Sequence, residues 1–389
     1  MEGGMGISLN KIKEDDIIKI LFAENPGIVI QVKDKHKEEV KKILEDAGIG
    51  YVKLGKPTEE RHILVEKGDA TYQFGIDYLR DVWYSTSYLL DRKQSMNGCA
   101  KKRFENYKKQ PLEFVFDKSF TGKLSQFGLN PDRRTPTGIK AAIIREKGTN
   151  GEREMAYMLY LAGFDVKDVT MTDLVSGRET LEDINFIVFC GGFSNSDVLG
   201  SAKGWAGAFL FNPKAKAALD NFYARKDTLS LGVCNGCQLM IELNLINPDF
   251  TKKAKMLHND SHKFESKFVG VTVPMNRSVM FGSLSGSKLG IWVAHGEGKF
   301  SLPYHEDKYN VVLKYSYDEY PGNPNGSDYS VAGLASPDGR HLAMMPHLER
   351  SCFPWQNAYY PADRIKNDQI TPWMEAFVNA RKWIEMNKK

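Results

Sequence analysis

From about residue 137 to its end, the sequence predicts an α/β fold in which helices cover both faces of a mostly parallel sheet. Short apolar runs typical of buried strands alternate with segments whose apolar residues recur at helical spacing. Such alternation is typical of parallel strands joined by crossover helices. The predicted strands are 141–144, 184–189, 228–233, 267–273, 290–294 and 311–317, and the predicted helices are 152–162, 215–223 and 372–385.

Residues 1–95 predict a second, smaller α/β domain. Strand patterns at 27–32, 51–54 and 63–65, with a helix at 37–47, give the β-α-β-β order of a ferredoxin-like unit or of a remnant of a larger domain. A helix is also predicted at 83–90. Residues 96–136 are basic, polar and interrupted by proline and glycine, which predicts a solvated linker. The expected organisation is therefore 1–95, a linker at 96–136 and the main domain at 137–389.

Composition narrows the classes of function. The net charge of +4 is small for 389 residues and does not favour nucleic-acid binding. No apolar run is long enough to cross a bilayer, and the first residues lack the basic and apolar regions of a signal peptide. Five cysteines in a chain of this length do not form a disulfide scaffold. We therefore expect a cytoplasmic protein with free thiols and no membrane partner.

The segment that carries most chemical information surrounds Cys234. Gly232 and Gly236 flank it in the order Gly-x-Cys-x-Gly, after a strand and before a helix. This is the pattern of a nucleophile elbow, with sulfur in place of the serine oxygen. The helix N-terminus favours the thiolate, which is the reactive form, and the N–H of Asn235 can hold a developing oxyanion.

A cysteine nucleophile needs a base, and the base needs a group that orients it. His347 directly follows an apolar, strand-like run, and Glu349 comes two residues later. In an extended backbone, residues i and i+2 point to the same side, so this carboxylate can hold the imidazole. We therefore predict a triad of Cys234, His347 and Glu349, in that chain order.

Other chemically active side chains have simpler interpretations. Cys237 gives a Cys-x-x-Cys spacing, but no second Cys or His pair accompanies it, so we expect helix packing and not zinc. Cys190 is expected to be buried in a strand. His258 and His262 could contribute to a metal site, although ordinary surface histidines are the preferred interpretation. His295 suits either a turn histidine or a supporting position at the active site.

These motifs resemble class I (triad-type) glutamine amidotransferases. The resemblance rests on residues 232–238 and 346–350. Further ordered motifs are similar to the glutaminase domain of the formylglycinamide ribonucleotide amidotransferase family: 145–155 (REKGTNGEREM), 191–194 (GGFS), 197–200 (DVLG), 294–298 (AHGEG), 323–327 (NPNGS) and 344–347 (MMPH).

The resemblance implies a mechanism of glutamine hydrolysis that releases ammonia. It implies the catalytic set Cys234, His347 and Glu349, and an oxyanion- and substrate-binding set of Gly192, Phe193, Asn235 and Gln238. The glutaminase part would need no metal or cofactor. Two positions depart from the family pattern: Leu348 stands where the family usually has proline, and Asn195-Ser196 stands where it often has Tyr-Gly.

The resemblance also implies partners. Residues 1–95 resemble the end of a synthase region, so the chain is expected to be the C-terminal part of a larger enzyme of purine biosynthesis. ATP and Mg would act in the missing synthase part, which would consume the ammonia. Two alternatives remain open: a cysteine hydrolase or peptidase on the same fold, and a catalytically silent regulatory module.

Overall fold

The computed structural model describes residues 6–110 and 112–388. Residues 1–5, which bear on the predicted lack of a signal peptide, lie outside the described residues, as do Pro111 of the predicted linker and Lys389. By its internal contacts the chain divides into two units, Met1–Leu90 and Asp91–Lys389. The domain boundaries predicted at 95 and 136 stay predictions. Across the described ranges, no helix combines the length and apolar character needed to cross a membrane.

The first unit contains a four-stranded sheet in the order β2-β1-β3-β4, with β1 parallel to β3 and the other pairs antiparallel. The strands are β1 Gly6–Ser8, β2 Lys56–Thr58, β3 His62–Lys67 and β4 Ala70–Gly75. The helices that begin in this unit are α1 Ile17–Phe22, α2 Lys37–Asp46 and α3 Ile76–Gln94. The predictions of α2, α3 and β3 are confirmed.

Two strand predictions in the first unit are wrong. Residues 27–32 and 51–54 form no regular element, and Ile28 and Val29 are 90% and 74% exposed. An apolar run indicates a buried strand only where a neighbouring strand pairs with it, and neither run has one among the described residues. The predicted β-α-β-β order is therefore also wrong in its first and second strands. The structure instead forms short strands at 6–8, 56–58 and 70–75 that carry weak apolar patterns.

The second unit contains a nine-stranded sheet, counted over the described residues, in the order β11-β10-β13-β14-β15-β8-β7-β5-β6. The strands of this unit are β5 Lys140–Arg145, β6 Asp165–Thr170, β7 Phe186–Phe189, β8 Leu229–Val233, β9 Lys255–Leu257, β10 Glu265–Thr272, β11 Lys288–His295, β12 Lys299–Ser301, β13 Asn310–Tyr315, β14 Val331–Ala335 and β15 His341–Met344. Strands β9 and β12 pair separately.

The second unit also contains helices. They are α4 Cys99–Asn106, α5 Glu152–Ala162, α6 Met171–Ser176, α7 Lys203–Phe211, α8 Pro213–Ala224, α9 Asn235–Glu242 and α10 Trp373–Asn387. Short 3-10 helices over the whole chain are Asp34–His36, Leu124–Phe127, Ser194–Asp197, Gly282–Leu284, Glu306–Lys308, Asp328–Ser330, Leu348–Arg350 and Pro354–Gln356. The bounds of α5 are those predicted, and Gly163 ends it with φ +102°.

The α/β fold class is confirmed, with strands β15, β8, β7, β5 and β6 forming the parallel part of the sheet. The strands from β11 to β14 are antiparallel to their neighbours and extend the sheet on one side. The carboxyl ends of parallel strands meet at one edge, where sites form in open α/β sheets. The segments that follow β5, β7, β8 and β15 therefore converge.

The predicted linker is not uniformly solvated. Residues 91–136 group with the second unit and contain α4. Cys99, Asn106 and Phe120 are buried, and Phe114 and Phe116 pack against the core of the sheet domain. The basic residues of this segment misled the interpretation, because long charged side chains can lie outward while the apolar side chains between them are buried.

Candidate active site

Cys234 lies at a strained turn between β8 and α9. Its backbone has φ 52° and ψ −105°, an unusual conformation for a residue other than glycine, and its side chain is buried. A Cβ on Gly232 would lie 2.5 Å from the Gly236 oxygen, and a Cβ on Gly236 would lie 2.0 Å from the Phe189 oxygen. The strand-turn-helix elbow predicted from the sequence is therefore present, and both flanking glycines are sterically required.

The sheet brings the predicted base to this cysteine. Strands β8 and β15 are parallel and Val233 pairs with Met344, whose carbonyl accepts the Cys234 N–H at 2.9 Å. His347 follows β15. A Cβ on Gly191, at the end of β7, would lie 2.8 Å from His347 Cε1 and 3.4 Å from Cys234 Cβ. Cysteine and histidine thus face each other across a position where only glycine fits.

The third member of the predicted triad contacts the histidine directly. The Nδ1 atom of His347 lies 2.6 Å from Oε1 of Glu349, and both side chains are buried. The predicted extended backbone is wrong, because Leu348–Arg350 forms a 3-10 turn. The predicted contact is nevertheless present, because the turn places Glu349 beside the His347 ring. Leu348, at a position where the family usually has proline, is buried in the core.

The surroundings of His347 keep it protonated. Burial alone would lower the pKa of His347, but the charge of Glu349 and hydrogen bonds with Cys234 and Glu349 outweigh that effect and raise this pKa to about 10. The histidine is therefore an imidazolium at neutral pH.

Three of the other cysteines are buried thiols. All five cysteines are free. Burial raises the pKa of the Cys190, Cys237 and Cys352 thiols well above the ordinary value. A thiol that stays protonated is a poor nucleophile, so these three are inert at neutral pH. The expected burial of Cys237 in the helix is confirmed, and Cys190 is buried as expected but directly follows β7 and does not lie within the strand.

The predicted oxyanion donors need one correction. The N–H of Phe193 donates to the Gly148 carbonyl at 2.8 Å, so it is not free to bind an oxyanion. The N–H groups of Gly192 and Asn235 have no acceptor among the described residues. Gly192 has φ +120° and a Cβ there would lie 2.5 Å from Gly148 O, which only glycine allows. Gly192 and Asn235 remain as the candidate donors.

Asn235 and Gln238 link three segments around the site. The Oδ1 atom of Asn235 accepts the Ser194 N–H at 3.0 Å, and its Nδ2 donates to Gln238 Oε1 at 2.9 Å. The Nε2 atom of Gln238 donates to the Glu297 carbonyl at 2.7 Å. Both ends of the Gln238 amide are thus engaged with protein groups. In this structure Gln238 braces the walls of the site.

A cavity of about 180 Å³ opens beside Cys234. Its walls are Gly192, Phe193, Asp197, Ser201, Cys234, Gln238, His258, His262, Lys263, Phe264, Ala294, His295, Gly296 and Glu297. The cysteine Sγ lies 3.5 Å from the Ala294 carbonyl. The volume and the polar lining suit a small polar molecule.

Two carboxylates on the cavity wall received no role from the sequence. Burial, and after it the charge of Glu297, raises the pKa of Asp197, and the Asp197 Oδ1 atom is buried without a partner in the described chain. Glu297 accepts the Ser201 N–H at 3.3 Å. Paired carboxylates with spare acceptor capacity are suited to an ammonium group. Both residues lie within motifs that carried the family resemblance, which was the available signal.

His295 supports the same wall. Its Nδ1 lies 3.1 Å from Asn259 Oδ1, which also accepts the Gly298 N–H. Burial, together with the charge of His347, lowers the pKa of His295 to about 3, so this ring is neutral. The structure therefore places His295 on the cavity wall as an uncharged side chain that holds the loop 294–298.

The pair His258 and His262 also borders the cavity. Their rings stack at 5.7 Å, and His258 Nδ1 lies 3.9 Å from Glu297 Oε1. Over residues 6–110 and 112–388, no group of three or more His, Cys, Asp or Glu side chains is arranged to hold a metal ion.

A cysteine elbow at the carboxyl edge of a parallel sheet, facing a buried His–Glu pair, is the architecture of the class I glutamine amidotransferases. Residues 138–384 match the family described as the CobB/CobQ-like glutamine amidotransferase domain. The chain belongs to this family.

The alignments with curated relatives cover more of the chain than the 138–384 match to the family. The human protein named phosphoribosylformylglycinamidine synthase is 38% identical over 98% of this chain, which spans 30% of that protein. An Arabidopsis thaliana protein named probable phosphoribosylformylglycinamidine synthase, chloroplastic/mitochondrial, is 36% identical over 98% of this chain and 28% of its own length. The chain thus spans under a third of the relatives that it matches.

Solved structures also match part of this chain, and one of them comes from a bacterium. It is described as the structure of PurLQS from Thermotoga maritima and is 27% identical, with a TM-score of 0.48, covering 64% of this chain and 99% of that chain.

Proposed function

We propose that this chain hydrolyses the side-chain amide of glutamine through Cys234, His347 and Glu349 and supplies the ammonia to a phosphoribosylformylglycinamidine synthase reaction. The observation that carries the proposal is the geometry of the site: a strained cysteine beside a buried His–Glu pair with a 2.6 Å contact, at the mouth of a small polar cavity. The membership in a glutamine amidotransferase family supports it.

The first half of the reaction releases ammonia. The Cys234 thiolate attacks the amide carbon of glutamine and forms a tetrahedral intermediate. The N–H groups of Gly192 and Asn235 bind its oxyanion, and one such donor typically contributes ~3 kcal/mol to the transition state. The C–N bond breaks as the imidazolium of His347 gives its proton to the leaving nitrogen, which leaves a γ-glutamyl thioester.

The second half restores the enzyme. Neutral His347 takes a proton from water, which attacks the thioester carbonyl. The C–S bond breaks, glutamate leaves, and the thiolate–imidazolium pair forms again. Glu349 keeps the ring in place throughout and stabilises its positive charge.

The cavity selects the substrate in this proposal. Its volume of about 180 Å³ suits a single amino acid. With the amide at Cys234, Asp197 and Glu297 are positioned on the wall to bind the α-ammonium group. A peptidase would need a groove long enough for an extended chain, and a cavity of about 180 Å³ is small for that, which supports glutamine over the alternative of a peptide substrate.

The ammonia-consuming reaction would belong to the rest of a longer enzyme. The matched relatives carry the synthase name, and their alignment includes residues before 138, so the first unit would be the end of a synthase region. There, ATP and Mg²⁺ would convert formylglycinamide ribonucleotide to formylglycinamidine ribonucleotide in purine biosynthesis. We assign no ATP or Mg²⁺ ligand to the described residues of this chain. Five free thiols suit a reducing compartment such as the cytoplasm.

Glutamate release by the wild-type chain and by two cysteine variants tests the proposal. Cys234→Ala should lose glutamine hydrolysis by a factor of about 10³ or more, because it removes the nucleophile. Cys237→Ala is the matched control, since it removes an inert thiol one helical turn away, and it should retain activity. Undiminished release by Cys234→Ala would show that the nucleophile is wrong. Absence of release from the wild-type chain, with the fold intact, would favour the regulatory alternative.

A further inference from the structure

One loop forms a large part of the cavity wall. Residues 258–264 contribute His258, His262, Lys263 and Phe264 to the lining. The loop has no regular secondary structure, and His262 has φ 51°, in the left-handed region. A loop of this kind keeps its shape only where neighbouring groups hold it. The groups that hold it therefore affect the shape of the cavity.

The last turn of α3 and the residues that follow it hold this loop. The N–H of Met96 donates to the Ser261 carbonyl at 3.0 Å, and the Asn97 Nδ2 donates to the Asp260 carbonyl at 2.9 Å. The Nζ atom of Lys263 donates to Asp91 Oδ1 at 3.1 Å. Three residues of the loop are thus bonded to the seven-residue segment 91–97, which precedes them by more than 150 positions.

Asp91 is the most buried member of this set of contacts. Its side chain is 7% exposed and accepts hydrogen bonds from Ser95 at 2.6 Å and Arg103 at 2.8 Å in addition to Lys263. Burial alone would raise the pKa of Asp91, but these donors and charges outweigh it and lower that pKa. The carboxylate is therefore a fixed anion that holds the lysine of the cavity wall.

We propose that Asp91 is a positioning residue of the substrate cavity, which with Met96 and Asn97 holds the loop 258–264 in the shape that binds the substrate. It does not touch the reacting atoms, and it acts through Lys263 and the loop backbone. The choice of glutamine as the substrate rests on the function proposed above. The restraint on the loop does not, because it follows from contacts within the described residues alone.

Two measurements on the whole chain test this proposal: hydrogen exchange of the backbone amides in 258–264 without substrate, and steady-state glutamine hydrolysis. In Asp91→Asn we expect exchange in the loop and the KM for glutamine each to rise about tenfold, with kcat within about twofold of the wild type. Asp91→Glu keeps the charge and should recover part of both effects.

Asp165→Asn is the matched control. Asp165 is also partly buried and ion-paired, with Arg133 Nη1 at 3.1 Å, but it lies at the amino end of β6, at the opposite edge of the sheet. This variant should leave loop exchange and KM unchanged. Asn97→Gly is a second probe should Asp91→Asn fail to fold, since it removes one loop contact from an exposed residue and tolerates its φ of 53°.

The outcomes separate cleanly. The proposal would be overturned if hydrogen exchange in the loop of Asp91→Asn equals that in Asp165→Asn. Where Asp91→Asn does not fold, the same comparison is made with Asn97→Gly. Faster loop exchange in Asp91→Asn, together with a wild-type chain that has no glutaminase activity, would support the restraint on the loop and refute the proposed function. A fall in kcat with an unchanged KM would show that Asp91 affects the triad and not the cavity wall, which would also overturn the proposal.

Discussion

The Nδ1 atom of His347 lies 2.6 Å from Oε1 of Glu349, and both side chains are almost fully buried. A carboxylate in this position couples the charge of the histidine to folding. The pKa of His347 is about 10 in the folded protein and about 6.5 in an unfolded chain. The stabilisation by its proton is therefore complete below about pH 6.5 and is lost as the pH rises toward 10.

The variant Glu349→Gln tests this coupling. Because it removes the charge that raises the His347 pKa, it should lower the free energy of unfolding by a few kcal/mol at pH 6, on the order expected from such a shift, and by much less at pH 10. Urea unfolding at pH 6, 8 and 10 measures the difference from the wild type. Asp165→Asn should give a constant difference, since aspartate titrates well below this range. A constant difference for Glu349→Gln would contradict the assigned ion pair.

The roles of His347 and Cys234 should be distinguishable, because turnover needs both residues and alkylation needs only the cysteine. His347→Asn removes the proton donor and the base, so turnover should fall by a factor of about 10² to 10⁴. Cys234 should still be alkylated by a glutamine-like affinity label, more slowly than in the wild type, because the nucleophile and cavity remain. Mass spectrometry of the labelled chain checks this, with exposed His305→Asn as a control that keeps full turnover. Wild-type turnover in His347→Asn would eliminate the triad.

Gly191 should be more sensitive than an ordinary glycine. The added methyl group of Gly191→Ala would lie 2.8 Å from His347 Cε1 and 3.4 Å from Cys234 Cβ. A displacement of the His347 ring by up to about 1 Å should reduce kcat about 100-fold. The matched change, Gly282→Ala, meets no atom closer than 3.9 Å and should leave kcat unchanged. Equal rates for the two variants would show that the packing of the triad at Gly191 is not essential.

The carboxylates of the cavity should recognise the α-ammonium group. Asp197→Asn should raise the KM for glutamine about tenfold, since it weakens a charged hydrogen bond. It should have little effect with glutaramate, the analogue that lacks the amino group, because no ammonium is then present to bind. Exposed Asp307→Asn provides the control with both substrates. An equal rise in KM for both substrates would place the function of Asp197 in cavity structure and not in ammonium recognition.

The sequence predicted the central part of the second unit well because its strands are short apolar runs and its helices end at glycines such as Gly163. It also predicted the elbow, since Gly232 and Gly236 are required there: a Cβ on either residue would lie less than 3 Å from a neighbouring atom. It failed at 27–32, where an apolar run lies exposed. Whether such a run pairs as a strand depends on partners elsewhere in the chain, which local patterns do not encode.

The candidate site shows the same limit. Cys234, His347 and Glu349 were predicted because their chemistry restricts both residue type and local spacing. The engagement of the Phe193 N–H with Gly148 and the position of Lys263 beside Asp91 depend on contacts between distant segments. Direction within the sheet was equally hidden, since nothing in the sequence of β10 distinguishes an antiparallel from a parallel neighbour. These features therefore required the structure.

The parallel pairing of β8 with β15 has a consequence for when the active site forms during folding. Cys234 and His347 are separated by roughly 110 residues of chain, and such non-local contacts form late because the intervening loop must first be closed. A thiolate–imidazolium pair can therefore exist only after the middle of the sheet has assembled. The rate at which Cys234 reacts with a labelling reagent during refolding therefore reports when β8 and β15 pair, without any assay of turnover.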